Sequence, residues 1–341
     1  MSKKTNITNG LERTKKMNKS KSIHKSTQSM RIQEIQLRPV FDLTGYEDGF
    51  VFVSASFGYD GNLYILWIDQ IPERERGMFV QSDLQQKRVY KVLIVDSVQN
   101  CVKGITTLES HFNLHYVQPL GEDLLLVGAR SRYYGQDRYD LNGKIVDRQG
   151  QLLHELLLGD GIERVQTSVE GNIWTSYFDE GVFGNFGWHD PVGAPGLIAW
   201  NRQGEQIYVN TKADIADCYA LNVVSDQKVW FYYYTDFQLG RITDPYDQPQ
   251  VSLVETGLSG SHVVATNGTF ALFQSGYNQK GQYSLLQQHG ENKLSLAQKF
   301  SFISVDGDAD ELNVLDGRKD QLLFKERSYL YMVSLDELPR A

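Results

Sequence analysis

Residues 159–195 read GDGIERVQTSVEGNIWTSYFDEGVFGNFGWHDPVGAP, the densest alternation of turn and strand signals in the chain. A glycine-rich turn leads into an apolar run, a second turn leads into the aromatic run IWTSYF, and a long loop follows. Short aromatic or β-branched runs bounded by Gly, Asp and Asn are typical of strands. Similar runs recur along the whole chain, whereas helical periodicity is hard to find, so the sequence predicts an all-β protein.

Part of this stretch is repeated. The segment ERVQTSVEGNI (163–173) matches HYVQPLGEDLL (115–125) and YALNVVSDQKV (219–229) in the position of an amide and in the distance from that amide to the next strand. Weaker copies begin at His262 and Asp310, and the five starts are separated by 48, 56, 43 and 48 residues. A period near 48 residues with four strands in each unit is typical of a β-propeller.

The repeat therefore predicts a single propeller domain of six four-stranded blades over residues 31–341. The last unit ends after its third strand, so we expect the N-terminal strand at residues 32–40 to supply the fourth strand and close the ring. Two packed β-sandwich domains are the alternative fold, but they give no reason for a 48-residue period.

Charge is divided unevenly along the 341 residues. The chain carries −8 overall, and residues 1–30 hold eight Lys or Arg and one Glu, so the rest carries −15. We expect residues 1–30 to form a disordered basic tail. The acidic body argues against nucleic acid as a partner, because phosphate binding needs a basic surface.

Membrane and redox signals are weak. No run approaches 18 apolar residues, so no membrane span is predicted. The two cysteines, Cys101 and Cys218, fit neither a disulfide framework nor a metal-ligand spacing, which favours a cytoplasmic protein. We expect a monomer whose partner is a protein or a small molecule.

Loop lengths distinguish the two faces of the predicted disc. Turns from the first to the second strand and from the third to the fourth strand are short, as in SVEGN and NRQG. The loops on the opposite face are longer and carry charged and aromatic residues, as in ARSRYYGQD and YFDEGVFGNFGWHDP. Function on a rigid scaffold usually lies in such loops, so we expect any site at the channel mouth on this loop-rich face.

Candidate site residues follow from that placement. Those at the starts of inner strands are His115, Glu163, Tyr219, His262 and Asp310, with Glu311 beside it; those further out are Arg130, Arg132, Asp179, Glu180, His189, Asp190 and Asp236. A histidine beside a carboxylate suits general base catalysis, which makes His115 and His262 the candidate catalytic residues. Converging carboxylates and amides suit a hard cation such as Ca²⁺. Loop carboxylates are mostly solvated, however, so a surface without a catalytic role is the competing interpretation.

Two other features have a structural interpretation. The amides Gln118, Gln166, Asn222 and Asn313 recur at one place in four units, as a hydrogen-bonding role between blades predicts. The run Tyr232–Tyr234 could stack a sugar or a base, but alternate tyrosines of a strand usually pack between blades, so a core role is favoured. The chain contains no nucleophile elbow, P-loop or His-Glu-x-x-His motif.

The segment VQTSVEGNIWTSYFDEGVFGNFGW, together with DCYALNV and VWFYYYTDF, resembles an uncharacterised bacterial propeller-like family, and this resemblance brings no activity with it. A six-bladed disc with acidic and amide residues at its channel also resembles, loosely, the gluconolactonase and regucalcin-like propellers. That resemblance implies a divalent metal that polarises a lactone.

Two functions remain open. The first is a non-catalytic cytoplasmic propeller that binds a protein or small ligand on its loop-rich face and needs no cofactor. The second is a metal-dependent hydrolase of a lactone or ester, with Glu163, Asp179 and Asp310 among the ligands of a divalent cation and His115 or His262 as proton carrier. We favour the first because the ionisable residues differ between blades without forming a recognisable set.

Overall fold

Antiparallel pairing of consecutive short strands organises the chain. The computed structural model describes residues 31–74, 80–277, 279–290, 293–305, 307 and 312–340, and these residues form 27 strands, one short helix and two 3-10 turns. The predicted tail (residues 1–30) and the candidates Asp310 and Glu311 lie outside the described residues. Six sheets, five of four strands and one of five, follow one another around a central axis, which confirms the predicted all-β, six-bladed propeller.

The strands run as follows, with the inner strand of each blade given first. Two strands precede the first blade: β1 (Ile32–Leu37) and β2 (Pro39–Asp42). Blade 1 contains β3 (Val51–Phe57), β4 (Leu63–Ile68), β5 (Asp83–Asp96) and β6 (Cys101–Phe112). Blade 2 contains β7 (Tyr116–Leu120), β8 (Asp123–Val127), β11 (Gly143–Val146) and β12 (Leu152–Leu156), with the inserted hairpin β9 (Tyr133–Gly135) and β10 (Arg138–Tyr139).

Blade 3 contains β13 (Ile162–Thr167), β14 (Ile173–Tyr177), β15 (Leu197–Trp200) and β16 (Gln206–Val209), with helix α1 (Asp179–Phe183) after β14. Blade 4 contains β17 (Asp217–Ser225), β18 (Lys228–Tyr234), β19 (Gln238–Thr243) and β20 (Gln250–Glu255). Blade 5 contains β21 (Val264–Thr266), β22 (Phe270–Gln274), β23 (Gln282–Gln288) and β24 (Leu294–Ser304). Blade 6 contains β25 (Asn313–Arg318), β26 (Gln321–Glu326) and β27 (Tyr329–Ser334). The 3-10 turns are Thr44–Tyr46 and Leu335–Glu337.

The N-terminal strand closes the ring, but it serves two blades. Strand β2 pairs antiparallel with β27 and is the fourth strand of blade 6, as predicted. Strand β1 instead pairs in parallel with β24 and becomes a fifth strand of blade 5. The break falls at Arg38 and Pro39, because proline lacks the N–H that a continuous ladder requires and therefore stands at strand starts.

The second strands are buried on both sides because every blade is covered by a blade on each face. All residues of β4 and of β14 are buried, which explains why these strands read as continuous apolar runs rather than alternating ones. Leu66, Leu125 and Phe231 are each fully buried there. Each such side chain contributes about 1.5–3 kcal/mol through removal of its apolar surface from water.

Amide side chains join the inner strands across the axis, which confirms their predicted structural role. Gln118 Nε2 donates to Ser56 Oγ at 2.8 Å and to Phe57 O at 3.2 Å. Gln166 Nε2 donates to Gly317 O at 3.0 Å, and its Oε1 accepts from Val223 N at 2.8 Å. Asn222 Nδ2 donates to Val264 O at 3.0 Å and to Lys319 O at 2.8 Å. Each of the six blades thus takes part in at least one hydrogen bond of these buried amides.

The repeat in blade 6 is shifted by three residues from its predicted position. Asp316, opposite Leu323, takes the place that Gln118 takes opposite Leu125, whereas Asn313 is exposed at the start of β25. Asp316 accepts from Phe57 N at 2.9 Å and from Gln166 Nε2 at 3.2 Å. The interpretation of Asn313 as the fourth inter-blade amide is therefore wrong, because the strand begins later after the preceding loop.

Two arginines also cross the axis. Arg164 of blade 3 donates to Leu315 O at 3.0 Å in blade 6, and Arg318 of blade 6 donates to Thr167 O at 2.5 Å in blade 3. Burial lowers the pKa of Arg318 to about 10, and the neighbouring Asp316 carboxylate opposes that shift. Side chains thus fill the centre of the ring below the loop-rich face.

No helix in the described parts of the chain has the length and apolar character needed to cross a membrane.

Candidate functional site

Strand order brings two sets of loops to one face. In an antiparallel meander, the loops that enter inner strands and the loops that leave second strands lie on the same side, which we call the mouth face. The loop from β14 to β15 spans 178–196 and the loop from β8 to β11 spans 128–142, and both belong to it. Most of the predicted site residues are in these loops or at the strand ends beside them.

Glu163 and His262 lie together at the centre of the mouth face. Glu163 is the second residue of β13, and His262 lies two residues before the start of β21. His262 Nδ1 lies 3.7 Å from Glu163 Oε1, and the side chains are 45% and 25% exposed. Arg164 Nε lies 3.9 Å from the same carboxylate, while the Arg164 guanidinium donates to His262 O at 3.1 Å. The structure thus brings two of the predicted residues into one group.

Asp217, the first residue of β17, is a site residue that the sequence did not indicate. Its Oδ1 is buried and has no hydrogen-bond partner among the described residues. Burial, together with the carboxylates of Glu163 and Asp179, raises the pKa of Asp217 to about 7, against the opposing effect of His262. Asp217 therefore lies within the electrostatic reach of three predicted site residues.

The sequence signal for Asp217 was hidden by a bulge. The repeat placed Tyr219 at the start of the inner strand, but the ladder between β17 and β18 shifts register between Asp217 and Ala220. The strand therefore begins two residues earlier than the repeat predicts. Two aspartates in the preceding segment KADIADC are the signal that could have indicated an acid at this place.

Aromatic side chains from blades 4 and 5 form a second group, which we call the aromatic cluster: Tyr219, Tyr234, Phe237 and Tyr277. Their ring centroids lie 5.4–6.5 Å apart, and the rings of Tyr219 and Tyr277 are nearly perpendicular at 87°. The hydroxyls of Tyr219 and Tyr277 share a hydrogen bond of 2.6 Å. Tyr234 is 41% and Tyr277 58% exposed, whereas Tyr232 and Tyr233 are fully buried. The core interpretation of Tyr232–Tyr234 therefore holds for the first two residues and fails for the third.

One contact joins the group of Glu163, Asp217 and His262 to the aromatic cluster. The ring of Tyr219 lies 4.7 Å from the imidazole of His262, centroid to centroid. We call the combined surface the mouth site, and its members are Glu163, Asp179, Asp217, Tyr219, Tyr234, Phe237, His262 and Tyr277. It offers carboxylates, one imidazole and aromatic rings within a single patch.

Arg130 and Glu180, both predicted to bind a ligand, instead bind each other, and Arg130 also binds Asp160. Arg130 donates from Nε and Nη2 to both Asp160 oxygens at 2.9 Å, and its Nη1 reaches Glu180 Oε2 at 2.5 Å. Its guanidinium also lies 4.0 Å from the ring centroid of Phe186. Burial raises the pKa of Asp160, and the Arg130 guanidinium opposes this. This Arg130 clamp fastens the loop of blade 2 to the loop of blade 3.

Two glycines set the position of helix α1, which carries Asp179 and Glu180. A Cβ on Gly161 would lie 2.3 Å from Gly181 N, and a Cβ on Gly181 would lie 2.5 Å from Asp160 O. Gly161 also adopts φ +70°, in the left-handed region that favours glycine. The helix can therefore pack directly against the start of β13.

The remaining predicted residues are Arg132, His189, Asp190 and Asp236, and Asp236 lies in sequence between the mouth-site members Tyr234 and Phe237. Arg132 donates to Gln81 Oε1 at 3.2 Å and lies 4.9 Å from the Phe186 ring centroid. His189 and Asp190 are exposed in the loop after α1, and Asp236 is exposed in the turn between β18 and β19.

His115 is three blades away from His262. Its Nδ1 accepts a hydrogen bond from Ala129 N at 3.1 Å. Burial, with a smaller effect of the Arg130 charge, lowers the pKa of His115 to about 4, against an opposing backbone hydrogen bond with Asn113. The ring is therefore neutral at neutral pH and holds the adjoining loop.

The residues implied by a metal-dependent hydrolase do not assemble into a metal site in the described parts of the chain. There, no three His, Cys, Asp or Glu side chains are grouped so that they could hold a metal ion. Glu163 faces Arg164 and His262, and Asp310 lies outside the described residues. A cleft of about 140 Å³ beside the mouth, lined by Arg164, His262 and Lys280 among others, is smaller than the 300 Å³ or so of a typical ligand pocket.

Comparisons with known proteins identify the fold. No family model matches the chain, and no curated protein matches it. Among solved structures, a streptogramin B lyase is 12% identical with a TM-score of 0.46, and the match covers 87% of this chain and 84% of that one. A gluconolactonase from Xanthomonas campestris is 10% identical with a TM-score of 0.47, covering 85% and 87% of the two chains. A protein of unknown function from Bacteroides caccae is 12% identical with a TM-score of 0.42, covering 74% and 88%. The chain is thus loosely similar to a gluconolactonase, while the propeller fold itself rests on the six sheets described above.

Proposed function

We propose that this protein is a non-catalytic binding propeller that takes a protein segment or a small ligand at the mouth site. The observation that carries the proposal is the contact of Tyr219 with His262, because it joins exposed aromatic rings to a group of carboxylates. Binding sites combine apolar and aromatic surface with a few polar groups that fix orientation, and the mouth site has this composition.

The filled axis supports binding at the surface. Arg164, directly beneath Glu163, reaches across to Leu315 O, and the buried amides lie below it. These side chains give a ligand at the mouth site a floor to rest on. A rigid floor also limits the conformational freedom lost on binding.

A non-catalytic role fits the state of the candidate catalytic groups. His115 is neutral and committed to Ala129 N, and Arg130 is committed to Asp160 and Glu180. The pair of His262 and Glu163 favours the alternative, a lactone or ester hydrolase, because imidazole beside a carboxylate can act as a general base.

The cytoplasm is the proposed location because Cys101 and Cys218 are both free thiols.

One experiment compares the two functions. Purified protein is screened by thermal shift against a set of small ligands and, in parallel, assayed for hydrolysis of lactones and esters with added Ca²⁺, Mn²⁺ or Zn²⁺. We expect ligands that raise the melting temperature of the wild type but not of Tyr219→Ala, with no turnover. The control is Leu153→Ala, which removes an exposed side chain on the outer strand β12. Turnover that His262→Ala abolishes would contradict the proposal and support the hydrolase.

A further inference from the structure

We infer that the ligand of the mouth site carries an alkylammonium group, which the aromatic cluster and the carboxylates of Asp217 and Glu163 hold together. This inference rests on the proposed binding function and names the chemical class of its ligand. Carboxylate acceptors, aromatic rings and local charge each support it separately.

The first support is an acceptor that lacks a donor. Asp217 Oδ1 is buried and has no hydrogen-bond partner among the described residues. Buried polar groups are nearly always hydrogen-bonded, so an unpaired buried acceptor is uncommon in a folded protein. A primary ammonium supplies N–H donors, and a hydrogen bond between two charged groups is the stronger kind; a quaternary ammonium, which has no N–H, offers the carboxylate an ionic attraction alone.

The second support is the arrangement of the aromatic cluster. Its rings stand at interplanar angles from 22° to 87°, so they form walls rather than one stacked column. Aromatic faces attract cations that come within about 6 Å of the ring centroid. Elsewhere this chain satisfies aromatic faces internally, for example with Arg130 over Phe186 and Lys91 over Phe50. Among the described residues, no Lys or Arg lies over any ring of the aromatic cluster.

The third support is the balance of charge. Three carboxylates, those of Glu163, Asp179 and Asp217, lie in the mouth site, and Arg164 is the cation beside them. The guanidinium of Arg164 is already hydrogen-bonded to Leu315 O and His262 O. A cationic ligand therefore meets a net negative charge, whereas an anionic ligand would be repelled.

These supports discriminate between ligand classes. A neutral sugar could stack on the aromatic cluster, but it would leave Asp217 without a cationic partner. A metal ion would use the carboxylates and leave the rings without a role. An alkylammonium group uses both, because its charge attracts the carboxylates and the ring faces alike, while its methyl or methylene groups pack against the rings.

The test uses the full-length protein and three probes. Choline and Nα-acetyl-lysine amide both present an alkylammonium group, the first as a small metabolite and the second as a peptide side chain. The third probe is the neutral isostere of choline in which carbon replaces nitrogen. Binding is followed by isothermal titration at low ionic strength, because salt screens exposed charges.

We expect at least one of the two cations to bind, and the tighter one identifies a free amine or a peptide as the source. The neutral isostere should bind about tenfold or more weakly, since it lacks the cation–π and ionic attractions. Three variants test the contacts. Asp217→Asn, which keeps the shape of the side chain, and Tyr277→Ala should both bind the cations more weakly. Tyr277→Phe, which keeps the ring, should bind them as the wild type does. The matched control is Tyr139→Ala, an exposed tyrosine that does not belong to the mouth site.

The inference is overturned if the neutral isostere binds as tightly as choline, or if Asp217→Asn binds choline unchanged. A neutral ligand that binds the wild type and loses affinity in Tyr219→Ala would overturn the cationic class alone and leave the binding function standing. Failure of every cationic and neutral compound to bind would overturn both. Melting temperatures of all variants, measured in parallel, separate loss of binding from loss of folding.

Discussion

The ring of Tyr219 lies 4.7 Å from the imidazole of His262, centroid to centroid. The Nδ1 atom of the same imidazole lies 3.7 Å from the Glu163 carboxylate. The tyrosine is on blade 4, the histidine on blade 5 and the glutamate on blade 3. Three consecutive blades thus meet at one histidine. The mouth site therefore requires blades 3, 4 and 5 to stay packed together. We expect the local stability of this site to differ from that of the scaffold around it.

Replacement of Asp217 should change the dependence of stability on pH. Burial and the negative charges of Glu163 and Asp179 raise the folded-state pKa of Asp217 from the ordinary value of an aspartate to about 7, and His262 acts against this shift. The folded protein therefore binds this proton more tightly than the unfolded chain does. The stabilising contribution is present at low pH and is lost as pH rises through the folded pKa.

Asp217→Asn is uncharged at every pH and should avoid that loss. Its melting temperature relative to the wild type should increase steadily from about pH 4 to about pH 8 in thermal melts followed by circular dichroism. Asp247→Asn, at an exposed turn, should show a difference that does not vary with pH. A flat difference for Asp217→Asn would show that this carboxyl titrates normally.

The Arg130 clamp should be a major stabilising element. Arg130→Ala leaves the buried Asp160 carboxylate without its bidentate partner, and removal of one partner from a buried ion pair costs about 3–5 kcal/mol. Lys87→Ala removes an exposed partner of Glu109 and should cost about 1 kcal/mol or less. Urea denaturation measures both free energies of unfolding. Equal values for the two variants would contradict the structural role of Arg130.

The buried amide Gln166 should matter far more than an exposed glutamine. Gln166→Ala removes bonds to Asp316, Gly317 O and Val223 N, and each buried polar group left unpaired costs about 1–3 kcal/mol. Gln149→Ala, at an exposed turn, should change the free energy of unfolding by less than about 0.5 kcal/mol. If Gln166→Ala unfolds at the same urea concentration as the wild type, the amide does not join the blades.

The contact between Gly161 and Gly181 should not tolerate a methyl group. Gly181→Ala places a Cβ 2.5 Å from Asp160 O, so helix α1 must shift away from β13 and take Asp179 with it. We expect a lower melting temperature and weaker ligand binding at the mouth site. Gly45→Ala, whose Cβ would meet nothing within 4 Å, should leave both unchanged. Unchanged binding in Gly181→Ala would separate the position of α1 from the function of the site.

The fold could be predicted because the repeat is encoded locally. Amides such as Gln118 and Gln166 recur at a fixed distance from the next strand, and this spacing follows from the antiparallel ladder. The inter-blade residue of blade 6 was not predicted correctly, because an aspartate, Asp316, stands in place of the amide and follows a longer loop. The repeat also did not predict that the N-terminal strand is divided between two blades, since tertiary packing decides which strand an edge strand pairs with.

The site could be predicted only where it coincides with the starts of inner strands. Glu163, Tyr219 and His262 were found in this way. Asp217 was missed because a bulge moves the strand start, and Tyr277 because it lies in a loop without a repeat pattern. Arg130 and Glu180 were correctly expected on the mouth face, but their sequence gives no sign that they bind each other.

The most direct test of the account is hydrogen–deuterium exchange of the full-length protein with and without saturating choline. Binding at the mouth site predicts slower exchange in peptides that contain residues 160–165, 215–220, 260–264 and 274–277. The turns on the opposite face, such as 121–122, 169–172 and 225–227, should exchange unchanged. Protection confined to those opposite turns or to the outer strands, with none in the mouth peptides, would contradict the account.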